Sequence, residues 1–143
     1  MKTQKKDFRI TGFMYLLVII CAGFSQGYVR GTLVIPGDAA ATALNITSNE
    51  GLFRLGLVTD LIAFLLDAAI SVMFYQLLKP AGKTLALISS AFRLLAHPAI
   101  GALNLLNHYM AVHVLSGAEF LSSFDQAQLQ TISLIFMDAH KYG

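Results

Sequence analysis

Arg93 and His97 are the two residues of this chain whose types and spacing point most directly to chemistry. They lie four residues apart in an almost wholly apolar stretch, residues 85–114. An ionisable side chain at membrane depth costs about 2.5–3.5 kcal/mol to insert, so it usually faces a partner or a water-filled cavity. The pair therefore indicates where polar chemistry takes place in the molecule, although it does not identify the reaction.

Two apolar stretches carry polar stripes that match one another. Successive residues of an α-helix are rotated by about 100°, so the face on which each side chain lies can be predicted. The residues of the first stripe fall within an arc of about 100°. They are Arg93, His97, Asn104, Asn107 and His108. The second stripe, on the preceding apolar stretch, consists of Asp60, Asp67, Ser71 and Tyr75. Both stripes are predicted to face inward. Asp67 then lies within reach of Arg93 or His97. Asp60 lies level with Asn104.

Residues near the C-terminus complete the predicted polar cluster. The whole predicted cluster consists of Asp60, Asp67, Arg93, His97, Asn104, His108, Asp138 and His140. Metal or haem ligation by its histidines is an alternative, because neutral imidazole is a common ligand. His97 and His108, however, are about 16 Å apart along one helix and cannot share a metal. We predict no metal, no cofactor and no catalytic residue.

Three interpretations of the cluster are open. In the first, the cluster is a structural clamp, in which Arg93 compensates buried carboxylates and the loss of one partner costs about 3–5 kcal/mol. In the second, it is a site that handles protons or ions, since Asp and His groups inside membranes mark such pathways. In the third, it belongs to a membrane enzyme, although the sequence contains no Walker loop, no HExxH motif and no GxSxG motif.

The composition places the chain among the integral membrane proteins. Hydrophobic residues make up 56% of it and charged residues 13%, against about 25% charged in soluble domains. The mean hydropathy is +0.65. The expected partner is therefore a lipid bilayer, and nothing indicates that the chain binds nucleic acid. The single cysteine, Cys21, excludes an intramolecular disulfide and a Cys-based zinc site.

The elements that must position the polar residues are helices long enough to cross a membrane. A hydrocarbon core about 30 Å thick needs about 20 helical residues. The predicted spans are 10–29, 52–78, 84–112 and 125–143, and a short external helix is predicted at 38–48. The predicted fold class is all-α: a polytopic transmembrane helix bundle of about four spans, forming one membrane domain over residues 1–143.

Turn and capping residues set the boundaries of these helices. A Pro-Gly pair predicts a turn, after which Asp38 caps the external helix. A break at 79–83 makes the second and third spans an antiparallel hairpin. Ser123 with Gln126 predicts a capping box before the last helix. Pro98 removes a backbone hydrogen-bond donor and predicts a kink in the third span.

Basic residues predict the orientation, because Lys and Arg favour the cytoplasmic side of short loops. The residues concerned are Lys2, Lys5, Lys6, Arg9, Lys79 and Lys83. We therefore predict a multi-pass protein of the bacterial cell membrane with a cytoplasmic N-terminus. Arg30, Asp38 and Arg54 are assigned to the external loop, which they mark as more than a spacer. Because charged residues crowd the end of the last span, we expect the native chain to continue past Gly143.

Several sequence blocks, in order along nearly the whole chain, resemble domain-of-unknown-function family 4386. They are YVRG at 28–31, VIPGDAAAT at 34–42, FRLG at 53–56, DLIAFLLD at 60–67, FRL at 92–94, GALNLLN at 101–107 and HKYG at 140–143. The resemblance implies a prokaryotic multi-span membrane protein with about six helices, of which this chain lacks the last two or so. It implies no established activity and carries no role onto His97.

The leading functional hypothesis is translocation or sensing of protons or of an unknown small solute. The first alternative is a structural or partner-binding membrane module, as a homo-oligomer or with a membrane partner, in which the ionic cluster only clamps helices. The second alternative is a membrane enzyme. These hypotheses differ in whether the polar cluster does more than hold the helices together.

Overall fold

Five main helices make up the part of the chain that the computed structural model describes, residues 2–142, with side chains described from Lys5 onward. Helix α1 begins as Lys2–Ala22, continues through a π-helical segment, Gly23–Arg30, and ends with Gly31–Leu33; α2 is Ala39–Ser48; α3 is Glu50–Leu78; α4 consists of Lys83–Leu94, a π-helical turn, Leu95–Ala99, and Ile100–His113; α5 is Gln126–Tyr142. No strand occurs among these residues, so the predicted all-α class is confirmed.

Three helices are long and apolar enough to cross a membrane. Over the described residues they are Lys5–Leu33, Glu50–Leu78 and Lys83–His113. The predicted fourth span corresponds to α5, whose 17 residues reach about 26 Å. As a membrane span α5 stays a prediction, and its predicted last residue, Gly143, lies outside the described residues.

Helix α3 packs against both other long helices, α1 and α4. The contact with α1 is close because Gly56 carries no side chain: a Cβ there would lie 3.0 Å from Val29 Cγ1. At the same place Ser25 Oγ donates a hydrogen bond of 2.9 Å to the Gly56 carbonyl oxygen. A short turn after Leu78 leads directly into α4, which makes the two helices neighbours in a hairpin.

π-Helical segments interrupt two of the long helices. In α1, the segment Gly23–Arg30 buries Val29 and Arg30 against α3. In α4, the turn Leu95–Ala99 surrounds Pro98, which lacks the backbone N–H that a regular helix needs. Both interruptions alter the direction of the side chains that follow, and both lie beside the polar residues described below.

The remaining segments close one end of the bundle. Gly37 has a φ of +78°, which suits the turn predicted from the Pro-Gly pair, and Asp38 Oδ1 accepts a hydrogen bond of 2.9 Å from the Ala41 N–H. The capping box of α5 forms two residues later than predicted, between Asp125 and Gln128. Helix α5 packs against α4 and α2. The apolar core at this end consists of Val29, Leu33, Ile46, Phe53, Ala111, Val112 and Met137.

Candidate functional site

Helix α3 carries two buried carboxylates, and each forms the centre of an ionic cluster. Asp60 is 4% exposed and Asp67 1% exposed. Seven residues are nearly two helical turns, so both side chains lie on one face, about 10.5 Å apart along the axis. The Asp60 cluster is defined as Arg30, Asp60, His108 and His140. The Asp67 cluster is defined as Asp67, Arg93 and His97.

In the Asp60 cluster, one arginine from α1 joins residues of two other helices. Arg30 Nη1 donates to Asp60 Oδ2 at 2.6 Å and lies 3.2 Å from His108 Nδ1. The same guanidinium donates from Nε to Gln26 Oε1, four residues earlier in α1, at 3.1 Å. The pair is almost fully buried, with 7% of the Arg30 side chain and 5% of the Asp60 side chain exposed. Arg30 therefore ties α1 to both α3 and α4.

Backbone carbonyls fix the tautomers of the two histidines in this cluster. His108 Nε2 lies 2.9 Å from the Phe53 carbonyl oxygen, which only accepts, so Nε2 carries the proton. The facing arginine only donates, so His108 Nδ1 is the acceptor and the ring is neutral. In the same way His140 Nδ1 donates to the Asn104 carbonyl oxygen at 3.0 Å. His140 Nε2 is buried, has no hydrogen-bond partner and lies 4.0 Å from Asp60 Oδ2.

The Asp67 cluster is more open. Arg93 Nη2 donates to Asp67 Oδ1, and His97 Nδ1 lies 2.8 Å from Asp67 Oδ2. The His97 contact lacks hydrogen-bond geometry, so Asp67 Oδ2 is buried without accepting a hydrogen bond. The arginine lies over the Tyr15 ring, 4.7 Å from its centroid, and is also close to the Phe74 ring. Only 1% of the Asp67 side chain is exposed, against 28% for Arg93 and 65% for His97.

A cleft of about 230 Å³ connects the two clusters. It lies between α1 and the α4–α5 pair, with α3 as its floor. Its polar lining residues are Gln26, Asp60, His97, Asn104, His140 and Lys141. A second pocket continues beyond His97 to Asp67 and Arg93 and shares Val18 and Ala96 with the cleft. Both carboxylates are therefore approached from the same side of the bundle.

A known protein family matches most of the chain. The family model described as Domain of unknown function (DUF4386) matches residues 10–143. The chain belongs to this family. No curated protein and no solved structure matches it.

The structure of this DUF4386 chain brings together most of the residues that the sequence singled out. Asp67 contacts both Arg93 and His97, as the two stripes predict. Asn104 does not meet Asp60 directly; its Nδ2 donates to the His140 carbonyl oxygen at 2.7 Å. His108 and His140 lie edge to face, with ring centroids 5.5 Å apart. These two histidines belong to the Asp60 cluster rather than to one large cluster with Asp67.

Three residues of the DUF4386 chain lie elsewhere than predicted. Asp138 is exposed and outside both clusters, because it lies two residues, about 200° of helix rotation, from the buried His140. Arg30 is not in an external loop but is the buried last residue of a π-helical segment. Arg54 lies within α3, where it forms an exposed ion pair of 2.6 Å with Glu50. Asp38 caps α2 as predicted.

The contribution of α1 to the site was not predicted from the sequence. Arg30 follows directly after an apolar run, a position that predicts the end of a membrane span. Gln26, four residues before it, was the available signal, because side chains at this spacing lie on one helix face. The carbonyl groups of Phe53 and Asn104, which orient the two histidines, leave no mark in the sequence.

Proposed function

We propose that this chain translocates or senses protons or a small solute as a multi-pass protein of the cell membrane, with its N-terminus in the cytoplasm. One observation carries the proposal. Asp67 Oδ2 is buried, accepts no hydrogen bond and lies 2.8 Å from His97 Nδ1, beside the cleft that leads to Asp60. A buried carboxylate oxygen that accepts no hydrogen bond is the position in the cluster at which binding of a proton is most favourable.

The proton is the cargo that these groups suit best. His97 is the most exposed member of the Asp67 cluster and is the group that first meets water. A neutral imidazole can accept a proton at one ring nitrogen and donate one from the other, so His97 takes up a proton from water and passes one to the Asp67 carboxylate. Arg93 stays charged throughout and holds the carboxylate in place. The cleft that His97 lines connects this exchange with water.

A structural role is the second candidate, and the Asp60 cluster favours it. Arg30, Asp60 and His108 are all buried and joined by direct contacts between three helices. Such a network stabilises the arrangement of α1, α3 and α4 whether or not a proton moves. On this interpretation both clusters only clamp helices together.

Proton flux into liposomes separates the two candidates. The purified chain is reconstituted with an entrapped pH-sensitive dye, and a potassium diffusion potential is applied. We expect acidification faster than in empty liposomes, reduced to the empty-liposome rate by Asp67→Asn and by Arg93→Gln. Asp138→Asn is the matched control, since Asp138 is an exposed carboxylate outside both clusters. It should leave the flux unchanged.

Folding must be measured on the same samples. Each variant is checked for insertion and for a single symmetric peak on size exclusion in detergent. A monodisperse Asp67→Asn protein without flux supports proton handling. A variant that aggregates supports the clamp instead, and a wild-type flux no faster than that of empty liposomes contradicts proton translocation.

A further inference from the structure

Asp60, His108 and His140 come from three different helices and converge on one small volume. Each offers one ligand atom, a carboxylate oxygen or an imidazole nitrogen, and these atoms all lie within 4.8 Å of one another. All three side chains are buried. We propose that they form a binding site for a divalent transition metal ion, for which Zn²⁺ is the best fit. The site is separate from the proton chemistry proposed at Asp67.

The orientation of the two imidazoles supports the site. Metal-binding histidines almost always donate their second ring N–H to a carbonyl or a carboxylate, which fixes the tautomer. Both rings have this arrangement, since His108 donates to the Phe53 carbonyl and His140 to the Asn104 carbonyl. The opposite nitrogen of each ring is left with its lone pair. His140 Nε2 is buried without any partner, 4.0 Å from Asp60 Oδ2.

Two nitrogens and one carboxylate oxygen are a donor set that zinc prefers. Ligand atoms about 2.1 Å from a tetrahedral zinc ion are about 3.4 Å apart, so the three side chains close on an ion with shifts of about 1 Å. The cleft described above is lined by Asp60 and His140. It gives water or a small molecule access to the fourth position of the ion.

Arg30 supplies the positive charge in this volume when no metal is bound. Its Nη1 contacts Asp60 Oδ2 and His108 Nδ1, two of the proposed ligand atoms. A bound metal ion displaces the guanidinium, because two cations cannot share these ligands. A neighbouring cavity of about 320 Å³ is lined by both Arg30 and Asp138. The exposed Asp138 carboxylate gives the displaced guanidinium a new partner.

Metal titration of the purified full chain tests the site, with Zn²⁺ for affinity and Co²⁺ as the spectroscopic probe. We expect one ion per chain, with the Co²⁺ absorption of a four-coordinate nitrogen and oxygen site. His108→Gln and His140→Gln should each weaken binding by more than about 100-fold, beyond the effect of losing an outer-shell group. His113→Gln is the matched control on the same helix as His108 and should bind as the wild type does.

Arg30→Gln distinguishes this site from adventitious binding. Removal of the competing cation should tighten Zn²⁺ binding at least tenfold, whereas a surface histidine site would not respond. Absence of binding by both the wild type and Arg30→Gln overturns the proposal, as does binding that His140→Gln leaves unchanged. Should the histidine variants fail to fold, the Co²⁺ spectrum of the wild type decides: bands of a six-coordinate, all-oxygen site contradict the proposed ligands.

Discussion

The two ionic clusters on helix α3 contain the same residue types, Arg, Asp and His, but their surroundings differ. In the Asp60 cluster the arginine and both histidines are buried, and each imidazole is held by a backbone carbonyl. In the Asp67 cluster only the carboxylate is buried, while Arg93 and His97 reach the pocket that continues the cleft. The residue types of a buried ionic cluster therefore do not by themselves determine its role.

The difference in burial predicts a difference in role. A fully enclosed set of hydrogen-bonded groups holds one arrangement and is costly to disturb, because each group would be left unpaired away from water. A partly exposed set exchanges protons and ions with the cleft at lower cost. This difference supports helix association at the Asp60 cluster and the proposed proton exchange at the Asp67 cluster.

The largest predicted effect is the loss of stability in Asp60→Asn. This change leaves Arg30 buried with no negative partner, which costs about 3–5 kcal/mol of unfolding free energy. The measurement is denaturation of the purified chain in mixed micelles, followed by circular dichroism. Asp67→Asn is the matched variant and should cost about 1–2 kcal/mol, since Arg93 is partly exposed and keeps its aromatic neighbours. Equal losses in the two variants would remove the distinction between the clusters.

A smaller effect is expected when α1 is pushed away from α3. A side chain at Gly56 meets Val29, the residue before Arg30, so Gly56→Leu should cost about 1–3 kcal/mol by overpacking. It should also increase the rate at which α1 separates from the Asp60 cluster, measured by hydrogen exchange at residues 25–30. Gly51→Leu is the control, because nothing lies near a Cβ at that position. Identical behaviour of the two variants would contradict the close contact.

The smallest effect is expected at the aromatic wall of the Asp67 cluster. Tyr15→Leu removes the ring beneath the Arg93 guanidinium, a cation–π contact worth about 0.5–1 kcal/mol at a partly exposed site. A double-mutant cycle measures it, because Tyr15→Leu should cost less when Arg93 is already Gln. A coupling energy of zero would mean that the ring only fills space.

Helical periodicity was sufficient to predict the Asp67 cluster. Asp67 and Arg93 lie on facing sides of two helices joined by a short turn, so 100° steps and an antiparallel hairpin bring them together. His97 was predicted to face inward, but it lies in the π-helical turn after Arg93 and is largely exposed, although it still contacts Asp67. The same periodicity separates Asp138 from His140, and the buried positions of α5, Ser133, Met137 and His140, follow it. The predicted place of Asp138 in the polar cluster was wrong, because the prediction rested on its charge and not on its angle around the helix relative to His140.

The Asp60 cluster was only partly predictable, because its arginine comes from a π-helical segment. Each π turn takes more residues than an α turn, so side chains after Gly23 no longer follow 100° steps. Hydropathy also ends the first span at Arg30, where the structure continues the helix and buries the guanidinium. The positions of the Phe53 and Asn104 carbonyls depend on packing between helices and follow from no local pattern.

Water access to the cleft is the most direct test of the central claim, that one water-filled cleft reaches both clusters. In a Cys21→Ser background, single cysteines replace Ala22 and Ala96, which line the cleft, or Leu65, an exposed apolar residue of α3 between Asp60 and Asp67. Membranes are treated with a small charged thiosulfonate, which reacts only with a hydrated thiolate. Rapid labelling at 22 and 96 with none at 65 is the predicted result, and equal labelling at all three positions, or none at 22 and 96, would contradict it.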